Sequence, residues 1–240
     1  MWCENYAVLP IDRTRKKGVR EDVLWIFCGD QRRVCAVLPA GLNVERVSYD
    51  CITPSAARGI LEAVMWKPAI KYVIDRIHVI HPIRFTNVRR NEVTAVASAS
   101  NARTVMQGGS KPLYIVTKQN IAQRASLLLR DVHYVVEAHF EMTEKASETD
   151  TPEKFYNMIL RRLKKGQCFH TPYLGCREFP AKVSLLEGDA PPSAYQGTTQ
   201  NLGLMLYDLD YKPSGEIIPM FFRASMEDGI LDLVDCEVYQ

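Results

Sequence analysis

The sequence predicts an α+β fold, because helix and strand patterns alternate through its first half and strands dominate its last third. Two helix starts share one signature, a threonine that can cap the helix followed directly by proline, at Thr53-Pro54 and at Thr151-Pro152. From Thr171 onward, short apolar runs separated by turn residues predict strands. The predicted architecture is therefore an α+β domain followed by a small β-sheet.

The remaining elements follow from short apolar or alternating segments. In the first half these segments predict strands, at 23–28, 44–49, 71–80, 113–116 and 132–142. The polar and basic segment 84–92 and the small-residue segment 94–110 predict a mobile loop, and 121–130 is predicted to be a short helix. After a charged linker and the second helix, strands are predicted at 178–186, 202–211, 217–225 and 230–234.

The composition is that of an ordinary globular protein and excludes several classes. At 240 residues, with 47% hydrophobic and 24% charged residues, the chain corresponds to one large domain or two small ones. Its 30 basic and 28 acidic residues leave a net charge of only +2, so a polyanion would bind at a local patch. No apolar run reaches the roughly 18 residues of a membrane span, and we predict a cytoplasmic protein without a membrane partner.

The motifs of several common enzyme classes do not occur in the sequence. Gly108-Gly109 lacks both the lysine and the strand-to-helix context of a phosphate-binding loop. The seven cysteines form no Cys-x-x-Cys pair, and no acidic ligand at a suitable spacing accompanies the histidine pairs 78/81 and 133/139. Cys168 precedes His170 by two residues, but a buried thiol is favoured over thiol catalysis. The sequence therefore predicts neither a metal nor a small-molecule cofactor.

Several short segments interleave arginine or lysine with amides, hydroxyls and aromatic rings. The richest is 84–91, which holds three guanidiniums, two amides and an aromatic ring. Guanidiniums hold phosphates, amides read base edges and aromatic faces stack on splayed bases, as in single-stranded nucleic-acid sites. A solvated charged surface is the alternative, also for the basic clusters at 13–20 and 161–165. The predicted RNA-binding residues are Arg46, Tyr49, Arg58, Trp66, Lys67, Arg84, Asn87, Arg89 and Arg90.

A series of longer segments, in order along the chain, resembles the CRISPR-associated protein 5 family, subtype I-C. The matching segments include Trp66-Lys67-Pro68 and the run from Gly166 to His170. The full set of matching segments is 44–50, 52–63, 66–69, 75–78, 84–93, 123–125, 129–131, 137–141, 166–170, 174–180 and 226–229. The resemblance spans about residues 44–230. The absence of the RNP aromatic signature argues against the alternative of a generic RRM-like RNA binder.

The resemblance implies a protein of the RAMP superfamily: a ferredoxin-like, RRM-related N-terminal domain with a C-terminal antiparallel β-sheet extension. The implied division is a divergent segment at 1–43, a ferredoxin-like domain at 44–150, and a helix with a β-sheet region at 151–240. The implied role is binding of the repeat-derived 5′ handle of crRNA, beside the backbone and large subunits of a Cascade complex. The family also processes pre-crRNA as an endoribonuclease that needs no metal; the alternative is a non-catalytic subunit that binds the crRNA handle.

The family's proposed catalytic residues are a tyrosine just before the Trp-Lys-Pro motif and a Lys-His pair at the start of the later helix. This sequence has Met65, Lys154 and Phe155 at those positions, so only the lysine is retained. Neither methionine nor phenylalanine can transfer a proton. Tyr156 and His170 are the candidate replacements, which makes Lys154, Tyr156 and His170 the predicted catalytic residues. Segment 1–43 also departs from the family pattern, and a rearranged or frame-altered N-terminus is our hypothesis for it.

Overall fold

The computed structural model describes residues 46–240, together with two strands, 24–29 and 34–35, that precede them. The three helices are α1 (Pro54–Val64), α2 (Ala99–Met106) and α3 (Pro152–Lys164). The strands are β1 (Leu24–Gly29), β2 (Val34–Cys35), β3 (Arg46–Val47), β4 (Ile70–Val79), β5 (Phe85–Val93), β6 (Ile121–Arg130), β7 (His133–Met142), β8 (Val183–Leu185), β9 (Thr199–Tyr211), β10 (Ile217–Glu227), β11 (Ile230–Asp232) and β12 (Val238–Tyr239). The α+β class predicted from the sequence is confirmed.

Both helix starts predicted from threonine and proline are confirmed. The Thr53 hydroxyl accepts a hydrogen bond from the Ala56 amide at 3.2 Å, and proline occupies the first position of α1. The Thr151 hydroxyl accepts one from the Lys154 amide at 3.3 Å at the start of α3. Each cap satisfies an amide that the helix itself leaves unpaired, so the chain enters both helices at defined residues.

The main sheet is antiparallel and has the strand order β12-β10-β11-β4-β7-β1-β8, with β9 paired to β10. Its core face carries alternate side chains of β4 and β7, which face each other in register, as in the pairs Tyr72–Phe140 and Val79–Tyr134. Phe155 of α3 is buried in the same hydrophobic core, and so are the apolar side chains of α1. The central β-strands and two helices therefore enclose one continuous core.

The other side of this sheet carries several buried polar side chains of β4 and β7, beside the fully buried Val135. His78 Nε2 donates to the Glu137 carboxylate at 2.6 Å, and an Arg76 nitrogen lies 3.4 Å from its second oxygen. His139 Nδ1 donates to the Asp75 carboxylate at 2.8 Å. Since an unpaired buried charge is costly, these pairs tie the two central strands together only as long as both members are present.

A second sheet contains β2, β3, β5 and β6, and several predictions for this part of the chain are wrong. Segment 84–92 is not a loop but most of β5, and 121–130 is not a helix but β6, which pairs with β5 over nine residues. The small-residue segment contains α2, and residues 113–116 form no strand. Segment 121–130 is rich in good helix formers, but pairing with a distant strand outweighs local propensity.

The C-terminal strands form a long hairpin, β9–β10, joined to the main sheet through β11, which pairs with β4. The strands predicted at 202–211, 217–225 and 230–234 are confirmed, whereas the one at 178–186 is reduced to β8. The predicted strand at 23–28 corresponds to β1, and the one at 44–49 to the short β3. The basic cluster at 13–20 lies outside the described residues. No helix among the described residues is long and apolar enough to cross a membrane.

Candidate RNA-binding and catalytic site

The β5–β6 hairpin divides the basic residues of segment 84–91 between its two faces. Because side chains alternate along a strand, Asn87 and Arg89 lie on one face and Arg90 on the other. Asn87 and Arg89 are exposed, and so is Phe85 on the same face. In the register, Arg89 pairs with Ala125 and Asn91 with Gln123. This face presents a guanidinium, amides and an aromatic ring to solvent.

The opposite face of the hairpin is an ion-pair network. Arg90 pairs with Glu178 and lies over the ring of Phe179 at 5.8 Å. Arg46 lies 3.3 Å from Glu92 and 3.8 Å from Glu178, and the Arg124 guanidinium lies 3.6 Å from Glu92. Arg46 and Arg90 therefore already have carboxylate partners, and the structure does not group them with Arg89.

Two other predicted RNA-binding residues have structural contacts inside the protein. The guanidinium of Arg58 bonds to Asp208 at 2.7 Å and also pairs with Glu62, which ties α1 to β9. Tyr49 is half-buried against the core, and this burial raises the pKa of its hydroxyl.

Arg84 lies apart from these residues, in a cleft of about 400 Å³ lined by His81, Pro82, Arg84 and Asp131. His81 Nδ1 donates to the Asp131 carbonyl at 2.8 Å, and the ring of His133 meets that of His81 edge-on at 4.9 Å. Burial and the neighbouring His81 lower the pKa of His133 to about 4, so His133 is neutral at neutral pH.

The end of α1 brings an exposed aromatic residue next to a cation. Trp66 is 55% exposed, which excludes a core role for its ring, and Lys67 beside it is also exposed. Met65, in contrast, is 2% exposed, and its carbonyl accepts a hydrogen bond from the buried hydroxyl of Tyr72 at 2.8 Å. The Met65 side chain is therefore part of the core.

The loop after α3 returns to the same end of α1. Gly166 has φ of +62°, its amide donates to the Leu163 carbonyl, and the Gln167 amide donates to the Arg162 carbonyl at 2.8 Å. These two bonds are the Schellman arrangement, which reverses the chain. The amides of Phe169 and His170 then donate to the Ala63 carbonyl, at 2.8 and 3.3 Å. These bonds hold the backbone of His170 at Ala63, which lies three residues before Trp66 in the chain.

The predicted catalytic residues are divided between the two ends of α3. The ammonium of Lys154, in the first turn, lies 2.8 Å from Asp150, and this bond is the largest of the contacts that lower the pKa of Asp150 to about 2. Phe155 is buried in the core, and Tyr156 is half-buried. Lys154 lies ten positions before Lys164, the last residue of α3, which is roughly 15 Å along the helix axis. The loop that carries His170 begins beyond that end.

Sequence reasoning did not single out two residues near His170. Phe169 is 80% exposed, and Arg162 Nη1 donates to the Val64 carbonyl at 2.7 Å. The position of Phe169 in a segment with four cations and no carboxylate was the available signal, since an apolar ring there has no core to join. The role of Arg162 depends on the packing of two helices and could not be read from its basic run.

Two solved structures share the fold of this chain. A crystal structure of a CRISPR-associated protein superposes with a TM-score of 0.62 at 22% identity, and covers 91% of this chain and 96% of that one. A functionally uncharacterized protein from Streptococcus mutans gives a TM-score of 0.61 at 23% identity, covering 91% and 97%. The chain therefore has the α+β fold found in a CRISPR-associated protein.

Sequence comparison then defines the family. The Cas5d family model, described as CRISPR-associated protein Cas5, matches residues 42–234. The chain is 47% identical over 197 residues to the CRISPR pre-crRNA endoribonuclease Cas5d of Mannheimia succiniciproducens, covering 80% of this chain and 87% of that protein. It is 39% identical over 215 residues to the protein of the same name from Thermus thermophilus, covering 82% and 86%. The chain belongs to the Cas5 family of CRISPR-associated proteins, subtype I-C.

Proposed function

We propose that this chain binds the repeat-derived 5′ handle of crRNA in a type I-C Cascade complex and cleaves pre-crRNA to produce it. The observation that carries the proposal is the 47% identity, over most of both chains, to a protein named as a pre-crRNA endoribonuclease. The exposed Arg89 face and the cations around the ends of α1 and α3 support it, because RNA needs local basic patches on a chain of nearly balanced charge. The proposed location is the cytoplasm.

The proposed fold of the N-terminal part is ferredoxin-like. The support is the strand order β8-β1-β7-β4, with all pairs antiparallel and with α1 and α3 as the connections that skip a strand. Because α3 and β8 complete this order, the proposed domain extends to Leu185, beyond the boundary at 150 that the sequence predicts. The β9–β10 hairpin and β11 would then be the C-terminal extension, and the proposed protein partners are the backbone and large subunits of Cascade.

The proposed reaction is attack of a ribose 2′-OH on the adjacent phosphate, which gives a 2′,3′-cyclic phosphate and releases the 5′-oxygen. It requires a base, a group that stabilises the extra negative charge and an acid for the leaving oxygen. We assign charge stabilisation to Lys154 and proton transfer to Tyr156 or His170. Lys154 and Tyr156 lie near the start of α3, whereas His170 lies beyond its end. Bound RNA would therefore have to contact both ends of the helix, or react at only one of them.

A second candidate function is binding of the crRNA handle without cleavage. The burial of Met65 and Phe155 favours it, because the two family positions that transfer protons here hold core side chains. The two functions share the RNA surface and differ in chemistry, so a binding assay tests what they have in common and a cleavage assay separates them.

Arg89 and Arg90 lie on opposite faces of the β5–β6 hairpin, so we expect different effects on RNA binding when each is replaced by alanine. Arg89→Ala is expected to weaken binding of handle RNA and to lower the salt dependence of log K by about 0.7 to 1, the effect of losing one phosphate contact. Arg90→Ala is expected to leave that slope unchanged, because its guanidinium is paired with Glu178. Binding of labelled repeat RNA over a range of salt concentrations measures both.

The Arg90→Ala variant is the matched control, with the same charge change one residue away. It is expected to lose at most about 1 kcal/mol of unfolding free energy, the scale of a partly exposed ion pair. If Arg89→Ala had the affinity and slope of the wild type, this face of the hairpin would not be an RNA-binding surface.

A further inference from the structure

We infer that Trp66 and Phe169 form a platform on which one unpaired base of the repeat RNA stacks, with the surrounding lysines and arginines holding its phosphates. The inference rests on the proposed function and adds a binding subsite to it, including Phe169, which was not among the RNA-binding residues predicted from the sequence. We call Trp66, Lys67, Phe169 and His170 the α1-end surface.

The α1-end surface lies beside a basic segment that contains no carboxylate. Several arginines on the sheets and on α1, such as Arg58 and Arg90, are in contrast paired with carboxylates. Residues 161–170 contain four cations and no acidic residue. Within the part of the chain that the structure describes, neither these four nor Lys67 has a carboxylate partner among the ion pairs. The helix dipole accounts for cations at the end of α3, but it does not account for two exposed aromatic rings beside them.

The backbone holds this surface in place rather than leaving it as a loose loop. The Schellman turn at Gly166 reverses the chain, and the Phe169 and His170 amides cap the Ala63 carbonyl. The Arg162 guanidinium caps the next carbonyl, that of Val64, at 2.7 Å. These carbonyls have no partner within α1 itself, so the bonds satisfy the helix end and position the loop at once. A platform that is ordered before binding costs less entropy when the ligand arrives.

The chemistry of the surface selects a single-stranded nucleotide as its occupant. Every base has a flat π-face that stacks on an aromatic side chain, and its flanking phosphates attract unpaired cations. An apolar protein partner would use the rings but would bury several ammonium and guanidinium groups without partners, which is costly. The His170 ring lies 5.9 Å from that of Phe169, centroid to centroid. A base stacked on Phe169 therefore lies beside an imidazole.

The test is binding of repeat RNA to the full chain carrying Phe169→Ala, Phe169→Tyr or Trp66→Ala. Loss of one stacking partner is expected to lower affinity by about 5- to 150-fold. The salt dependence should not change, because no phosphate contact is removed. Phe169→Tyr keeps an aromatic face and is expected to bind like the wild type. 2-Aminopurine placed at the unpaired repeat positions should be quenched by the wild type at one of them, and not by Phe169→Ala.

The outcomes separate this inference from the proposed function. A wild-type chain that does not bind repeat RNA contradicts the proposed function itself. Wild-type binding that Phe169→Ala and Trp66→Ala both leave unchanged overturns only the platform. The platform is also overturned if these variants bind RNA normally but no longer assemble with the other Cascade subunits, which would make the surface a protein contact. Each variant is expected to unfold at the wild-type temperature. An unchanged unfolding temperature would show that the loss of RNA affinity does not come from a destabilised core.

Discussion

Replacing His170 with alanine is expected to slow cleavage of repeat RNA by about 10²-fold or more, the usual effect of losing a general acid or base. Binding should change little, because the loop is held to Ala63 by the backbone amide of His170, which alanine retains. Single-turnover cleavage with saturating protein measures the chemical step separately from binding. The same assay on Tyr156→Phe tests the other candidate group, since each group that transfers a proton should show this loss.

Lys154→Ala is the companion variant, and its cleavage rate is also expected to fall far more than its affinity. A cation beside the scissile phosphate stabilises charge that grows in the transition state. In the free protein the Asp150 carboxylate, with its pKa lowered to about 2, stays ionised at neutral pH and partly neutralises this lysine. Asp150→Asn should therefore raise cleavage or leave it unchanged. If Lys154→Ala still cleaves the RNA, this lysine does not stabilise the transition state and only contacts the RNA backbone.

Glu137→Ala is expected to have the largest effect on stability, a loss of about 3 to 5 kcal/mol of unfolding free energy. Glu137 is 6% exposed, and its carboxylate accepts from His78 Nε2 and pairs with Arg76. Removing it takes away the buried carboxylate that His78 contacts between the two central strands, while Arg76 keeps its bond to Asp232 at 2.9 Å. Denaturant unfolding, followed by circular dichroism, measures the loss.

Glu141→Ala is the control for this prediction, because it removes a carboxylate from the same strand. The Glu141 side chain is 57% exposed, so its loss should cost no more than about 1 kcal/mol. Equal stability of the two variants would mean that the buried pairs do not hold β4 and β7 together.

The sequence predicted most reliably those elements that local chemistry determines. Thr53-Pro54 and Thr151-Pro152 cap and start their helices through bonds within four residues, so both starts are visible in the sequence. Strand β6 is not, because its run of alanine, glutamine, leucine and arginine favours a helix in isolation. The extended form of β6 depends on pairing with β5, which lies before α2 in the chain. This pairing forms only in the folded protein.

The same limit applies to the candidate site. Trp66 and Lys67 were found from a motif, and the structure leaves both exposed at the end of α1. Arg89 and Arg90 looked equivalent in a predicted loop, whereas the strand turns them to opposite faces. The neighbourhood of Phe169 and α1 could not be predicted, because it arises from a chain reversal and from carbonyls more than 100 residues earlier.

The most direct test of the proposed function is incubation of the wild-type chain with its own repeat RNA, with and without a chelator. We expect one cut at the repeat hairpin that retains the 5′ handle, a 2′,3′-cyclic phosphate on the upstream product and the same rate in chelator. Repeat RNA that stays intact while the chain binds the handle tightly would contradict the nuclease, and would make the buried Met65 and Phe155 the mark of a subunit that only binds crRNA.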